Sequence, residues 1–201
     1  MNKVLRSLAF VALALTVAGC SLGGLLGGGG KPPATLLTLT PTAPDPGQIA
    51  RTANAGQAVT IAVPAVAKEI RTNRVPVQIS PTDVQYVKNL QWVDTPDRLF
   101  ADLVAETVRR TTGRVVLGPK QSALDPGLLV NGELQRFGYD AQTGQVVVQY
   151  DASLSTEGGS RVEARRFTAT APADGTAASV GPALNSAANQ VAGEVARWIG
   201  G

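Results

Sequence analysis

Two hydrophobic periods divide the chain. Val59, Ile61 and Val63 alternate with Thr60 and Ala62 up to Pro64, the period-two pattern of a half-buried strand. Val75, Val77 and Ile79 alternate in the same way with Arg74, Pro76 and Gln78. Pro76 has no N–H to give to a ladder, which assigns that strand to an edge or a bulge. After the turn residues Ser80-Pro81-Thr82-Asp83, the stretch VQYVKNLQW is a further extended segment ending at Trp92.

The period then changes to that of a helix. Thr95 is placed as N-cap with Pro96 at N1 and Asp97 in the first turn. Leu99, Phe100, Leu103, Val104 and Val108 form one apolar stripe, and Gly113 stands where a C′ glycine would end the helix. A short strand at 114–117 and a loop, GPKQSALDPG, follow.

Three longer segments, 128–137, 145–154 and 161–170, are joined by DAQTG and TEGGS. In the middle one Val146, Val148, Tyr150, Ala152 and Leu154 oppose Gln149, Asp151 and Ser153, so the three form an antiparallel meander with one wet face. A closing helix from about Pro182 carries Leu184, Ala188, Val191, Val195, Trp198 and Ile199 on one stripe. Ahead of all these, Leu36, Leu37 and Leu39 suggest a short strand before the breaker-rich TPTAPDPG. The order predicts an α+β fold in two layers, a mostly antiparallel sheet covered on one face by two helices.

The first 34 residues follow neither period. Residues 1–19 hold Lys3 and Arg6, an apolar run from Leu8 to Val17, then Ala18 and Gly19, the layout of a signal peptide too short to span a bilayer permanently. Val17-Ala18-Gly19-Cys20 resembles the bacterial lipobox, in which the cysteine is lipidated and the chain is cut before it. Cys20 is therefore the expected lipid anchor to a membrane. Several acyl chains at one residue give stable anchoring, at about 0.8 kcal/mol per buried CH₂.

The glycine-rich residues 20–34 are read as a linker with an r.m.s. span of about 20 Å, and 35–201 as the folded domain. Ser21 after the cysteine, in place of aspartate, favours the outer membrane as destination. Gly19-Cys20-Ser21-Leu22-Gly23 also fits the G-x-S-x-G pattern, but it lacks the strand, helix and histidine that a nucleophile elbow needs.

Composition removes several chemistries. The net charge of +3 falls to +1 without Lys3 and Arg6, which is no footprint for nucleic acid. Histidine is absent and Cys20 is the one cysteine, so the commonest general base, an internal disulfide and cysteine-rich metal sites are missing. No cofactor or metal site is expected. Asp94, Asp97 and Asp102 gather at the helix start, where carboxylates suit the dipole. Lys68, Arg71 and Arg74 form a basic group beside a strand, where charge guards an edge. Trp92, just before the helix, either plugs the junction of sheet and helix or presents an anchor to a partner; Trp198 lies on an apolar stripe and is assigned to the core.

Taken together these parts resemble the ABC-type transport auxiliary lipoproteins of Gram-negative bacteria. The likeness rests on the lipobox cysteine, TLLTLTP, the pair VTIAVPAV and RVPVQIS, the closing meander and helix, and above all the helix start WVDTPDRLF at residues 92–100. It implies a non-enzymatic accessory protein without catalytic residues. Its companions would be an ABC permease, an ATPase and an MCE-domain substrate-binding protein that move lipids or other hydrophobic substrates across the envelope. Trp92 and the strand of Val75 and Val77 are the candidate contacts to that complex or to a second copy of the chain. A lipoprotein supporting envelope or secretion machinery is the alternative.

Overall fold

The computed structural model describes residues 35–54, 56–123, 127–156 and 161–200. The chain divides into units Met1–Pro32 and Pro33–Gly201, and every described residue belongs to the second. In order, its elements are β1 (Val59–Ile61), β2 (Ala65–Val66), β3 (Arg74–Gln78), β4 (Val84–Gln91), α1 (Pro96–Thr111), α2 (Pro119–Ser122), β5 (Leu128–Asp140), β6 (Gln145–Ser155), β7 (Val162–Pro172) and α3 (Ala177–Gly200). Along the sheet the order is β4-β3-β5-β6-β7.

β5 organises the sheet. On one side it pairs antiparallel with β6, which pairs antiparallel with β7, as the meander expectation required. On its other side β1, β2 and β3 lie parallel to it one after another, at Leu128, Glu133 and Tyr139. The longest ladders are antiparallel, and α1 and α3 pack on each other and on the sheet, so the α+β assignment stands.

Inward residues of the meander, Val130, Leu134, Phe137, Val146, Val148, Tyr150 and Phe167, meet Phe100, Leu103, Val104 and Val108 of α1 and Val180, Leu184, Val191 and Val195 of α3. All are buried. Burial of each such side chain is worth about 1.5–3 kcal/mol. Alanines 187, 188, 192 and 196 on the buried side of α3 are also covered, and their small size lets the helix lie close to its neighbours.

Several expectations need correction. Of the edge and the bulge that Pro76 allows, the bulge is found and the edge is not: β3 is an internal strand, flanked by β4 and β5. Pro76 is tolerated because the β3–β4 register slips beside it: Arg74 pairs with Gln91 and Pro76 with Tyr86, so β4 advances five residues while β3 advances two. Asn89, at φ 57, lies in that bulge. The backbones of β3 and β5 approach closely here, and a Cβ on Gly138 would sit 2.4 Å from the Pro76 carbonyl oxygen.

α1 begins at Pro96 as expected, but Thr95 makes no side-chain cap bond. Gly113 is not left-handed. Thr112 ends the helix instead in an extended conformation, its N–H and hydroxyl both donating to the Val108 carbonyl.

α3 starts at Ala177, five residues before Pro182. The Asp174 carboxylate nucleates it by accepting bonds from the N–H and hydroxyl of Thr176 and from the Ser179 hydroxyl. Pro182 withholds a donor from the carbonyl of Ala178, a residue exposed to solvent.

The leucines near the start form a single bridge, Leu37 with Trp92, and 114–117 a single bridge, Val116 with Val59. The expected GPKQSALDPG loop contains the one-turn α2.

Residues 36–43 run as an extended strap over the helix pair. Asn185 Oδ1 accepts from Thr40 N–H at 2.8 Å, and Asn189 Oδ1 accepts from Thr42 N–H at 2.7 Å while its Nδ2 donates to the Thr40 carbonyl at 2.9 Å. Arg110 Nη1 donates to the Ala43 carbonyl at 2.9 Å. Leu37 and Leu39 pack on the core beneath, and Gly181 leaves room for Leu37, whose methyls lie 3.1 and 3.2 Å from where a Cβ would be.

Candidate functional site

The described residues contain no group of three or more His, Cys, Asp or Glu placed to hold a metal ion. The three aspartates at the start of α1 act separately. Asp94 Oδ1 accepts from the Thr95 N–H at 2.7 Å and its other oxygen lies 3.9 Å from Arg98, while Asp102 is exposed. Asp97 Oδ1 is buried without a hydrogen-bond partner among the described residues. Two of the three basic residues are likewise committed to local structure: Arg71 donates to the Val66 carbonyl at 3.2 Å, and Arg74 lies 4.0 Å over the Tyr86 ring. Burial pushes the Tyr150 hydroxyl well above the usual tyrosine range, which keeps it protonated and unfit as a base near neutral pH.

Trp92 is 1% exposed. It stands at the end of β4, where its N–H donates to the Asn73 carbonyl and Leu37 bridges it from the strap. Its ring leads a chain of aromatic contacts: Trp92–Phe137 at 5.6 Å, Phe137–Phe100 at 6.4 Å and Phe100–Tyr150 at 5.2 Å between centroids. That chain ties β4, β5, α1 and β6 together. Of the two readings of Trp92, the plug describes its side chain in this conformation, because an indole with 1% exposure offers a partner almost no area. Its Nε1 has no hydrogen-bond partner among the described residues.

Val75 and Val77 are buried as well, at 0% and 9% exposure. Their strand is internal, so the edge expected there is displaced by one strand to β4. From Val84 to Leu90, β4 has no second strand partner among the described residues. Ile79 and Val84 are both more than a third exposed beside the β3–β4 turn.

The other open edge is β7, which carries Arg165 and Arg166 and is preceded by Arg161. A small cavity of about 40 Å³ lined by Ile70, Pro76, Gln135, Gly138 and Tyr139 has room for a water or two, not for an acyl chain. Cys20 and Ser21 lie outside the described residues. Asn185 and Asn189, which hold the strap, were signalled in sequence by two amides spaced i, i+4 on the polar side of the closing helix, beside a proline-rich stretch needing backbone partners.

No curated protein matches the chain. A crystal structure of a protein from Xanthomonas campestris has a TM-score of 0.69 at 22% identity, covering 83% of this chain and 95% of that one. A second crystal structure, of an uncharacterized protein, has a TM-score of 0.58 at 18% identity, covering 75% and 96%. Both support the fold. The PelC dodecamer of Paraburkholderia phytofirmans follows at a TM-score of 0.41 and 15% identity, covering 76% and 94%. The helix start at Trp92, the closing meander and all but the last turn of the final amphipathic helix lie within residues 37–196, which match the family of ABC-type transport auxiliary lipoprotein components; the chain belongs to that family.

Proposed function

We propose that this protein is a non-enzymatic accessory of an ABC transport system of the MCE type, moving lipids or other hydrophobic substrates across the envelope. The observation that carries the reading is the family match over 37–196. The absence of histidine from the chain and the local contacts of Asp94, Arg71 and Arg74 agree with a docking role. No helix among the described residues is long and apolar enough to cross a membrane, and attachment is assigned to acyl chains on Cys20.

In this reading lipidated Cys20 holds the chain to the periplasmic face of the outer membrane, the direction Ser21 favours, and residues 21–34 give the domain its reach. The strap hands that tether to the domain beside Trp92, with half-exposed Val93 next to it. The open edge of β4, stiffened from behind by Trp92, Val75 and Val77, is the surface for the MCE or permease component or for a second copy.

The test is purification of the full chain from detergent-solubilised envelopes together with fractionation of Cys20→Ala. An ABC permease, ATPase or MCE protein is expected in the eluate, and the variant is expected in the soluble periplasm. Secretion or cell-wall components in place of transporter subunits contradict the transport reading, and continued pelleting of Cys20→Ala with membranes contradicts the anchor.

A further inference from the structure

At the C-terminal ends of α1 and α3 the surface sinks into a hollow of about 290 Å³ lined by Ile49, Arg51, Arg109, Arg114, Val115 and Val116. Its guanidiniums are pinned. Arg114 Nε donates to the Ile199 carbonyl at 2.8 Å and Nη1 to the Gln57 carbonyl at 3.2 Å. Arg51 Nη1 donates to the Arg114 carbonyl at 3.1 Å, and Arg109 Nη1 to Glu106 Oε2 at 3.1 Å. Among the described residues these bonds use one or two of the five N–H donors on each guanidinium, so the remaining donors are held in place without being consumed.

The local charge is unbalanced. Glu106 is shared between Arg109 and Arg110, and neither Arg51 nor Arg114 has a carboxylate partner among the described residues. Each helix C-terminus adds about half a negative charge. The three guanidiniums of the lining against Glu106 and two such half-charges leave the hollow positive. Its other lining is apolar: Val115 and Val116 are half-buried and Ile49 is exposed. Fixed arginine donors suit phosphate oxygens, and apolar neighbours suit methylenes. The volume is at the lower end for a small-ligand pocket, enough for a head group and too small for two acyl chains.

We infer that this hollow binds the phosphate head group of an anionic lipid, with Arg51, Arg109 and Arg114 on the phosphate and Ile49, Val115 and Val116 against the first carbons of the lipid. The inference deepens the lipid-transport reading and rests on it, yet the two fail separately. A negative titration leaves co-purification with a permease untouched, and a missing permease leaves the titration untouched.

The test is calorimetric titration of the purified full chain in dodecyl maltoside with dihexanoyl phosphatidic acid, dihexanoyl phosphatidylcholine and inorganic phosphate. Saturable binding of the phosphatidic acid is expected, with the other two at least about tenfold weaker. Arg51→Gln and Arg109→Gln should each weaken it about tenfold, the loss of one charge-assisted contact, at unchanged circular dichroism. Arg98→Gln, an exposed residue at the opposite end of α1, should leave it unchanged. No saturation, equal affinity for the phosphatidylcholine or for inorganic phosphate, or full affinity in both folded variants overturns the inference.

Discussion

Replacing Trp92 separates an anchor from a plug. Truncation to alanine removes a side chain that is 1% exposed and touches Phe137 at 5.6 Å between centroids. Buried tryptophan-to-alanine changes cost about 3–5 kcal/mol because the cavity does not fully collapse. At about 2–4 °C per kcal/mol for a domain of this size, Trp92→Ala should lower Tm by about 6–20 °C. Trp92→Phe is the informative companion. It keeps a ring against Phe137 and removes the Nε1 donor, which has no partner among the described residues; an unsatisfied buried donor costs about 1–3 kcal/mol, so its removal offsets much of the lost burial. Trp92→Phe should stay within about 1.5 kcal/mol of the parent by urea unfolding, with partner recovery unchanged. A stable, folded Trp92→Ala that loses partner recovery would refute the plug assignment and restore the surface-anchor reading.

Asn189→Ala removes the bonds to Thr40 and Thr42 and should cost about 1 kcal/mol, after the helix propensity of alanine offsets part of the loss; limited proteolysis should then cut residues 36–43 faster. Gly138→Ala places a Cβ 2.4 Å from the Pro76 carbonyl oxygen and should destabilise by about 3 kcal/mol in urea unfolding, with an unchanged midpoint contradicting the close β3–β5 approach. Bonds from Ser179 and Thr176 hold the Asp174 carboxyl down to about 2, below its ordinary 3.8. Its ionised form therefore stabilises the fold fully above about pH 4, and that contribution is lost as pH falls towards 2. Asp174→Ala should lower Tm at pH 6, and the gap to the parent should close between pH 4 and 2 in thermal melts; a gap independent of pH would refute the cap.

Local periodicity makes the meander legible, because β6 alternates from Val148 to Leu154 and Gly144, at φ 66, closes the join to β5. It could not reveal that β1, β2 and β3 line up along β5, since parallel pairings between segments some 60 residues apart leave no mark in either segment. Pro76 was read through its missing donor, which is equally consistent with an edge and a bulge, and the deciding slip lies in β4 around Asn89. α3 was started too late because Ala177 and Ala178 carry little hydrophobic signal and Pro182 resembles an N1 residue. The cap built by Asp174, Thr176 and Ser179 lies ahead of the apolar stripe, which does not mark it. Trp92 stayed ambiguous because its main contact, Phe137, is 45 residues away. The leucines of the strap suggest a strand and form a single bridge; only its second half is legible as irregular chain, and its clamp on two helices is not.

Site-specific photocrosslinking in living cells tests the docking account most directly. Probes belong at Lys88 and Ile79, which are exposed on the β4 edge and its turn, with Thr168 on the outer face of β7 as the comparison. The account predicts adducts with an MCE or permease subunit, or with a second copy of the chain, from Lys88 and Ile79 and none from Thr168. Adducts from Thr168 alone, or from Lys88 and Ile79 only to proteins outside any transport system, would contradict it.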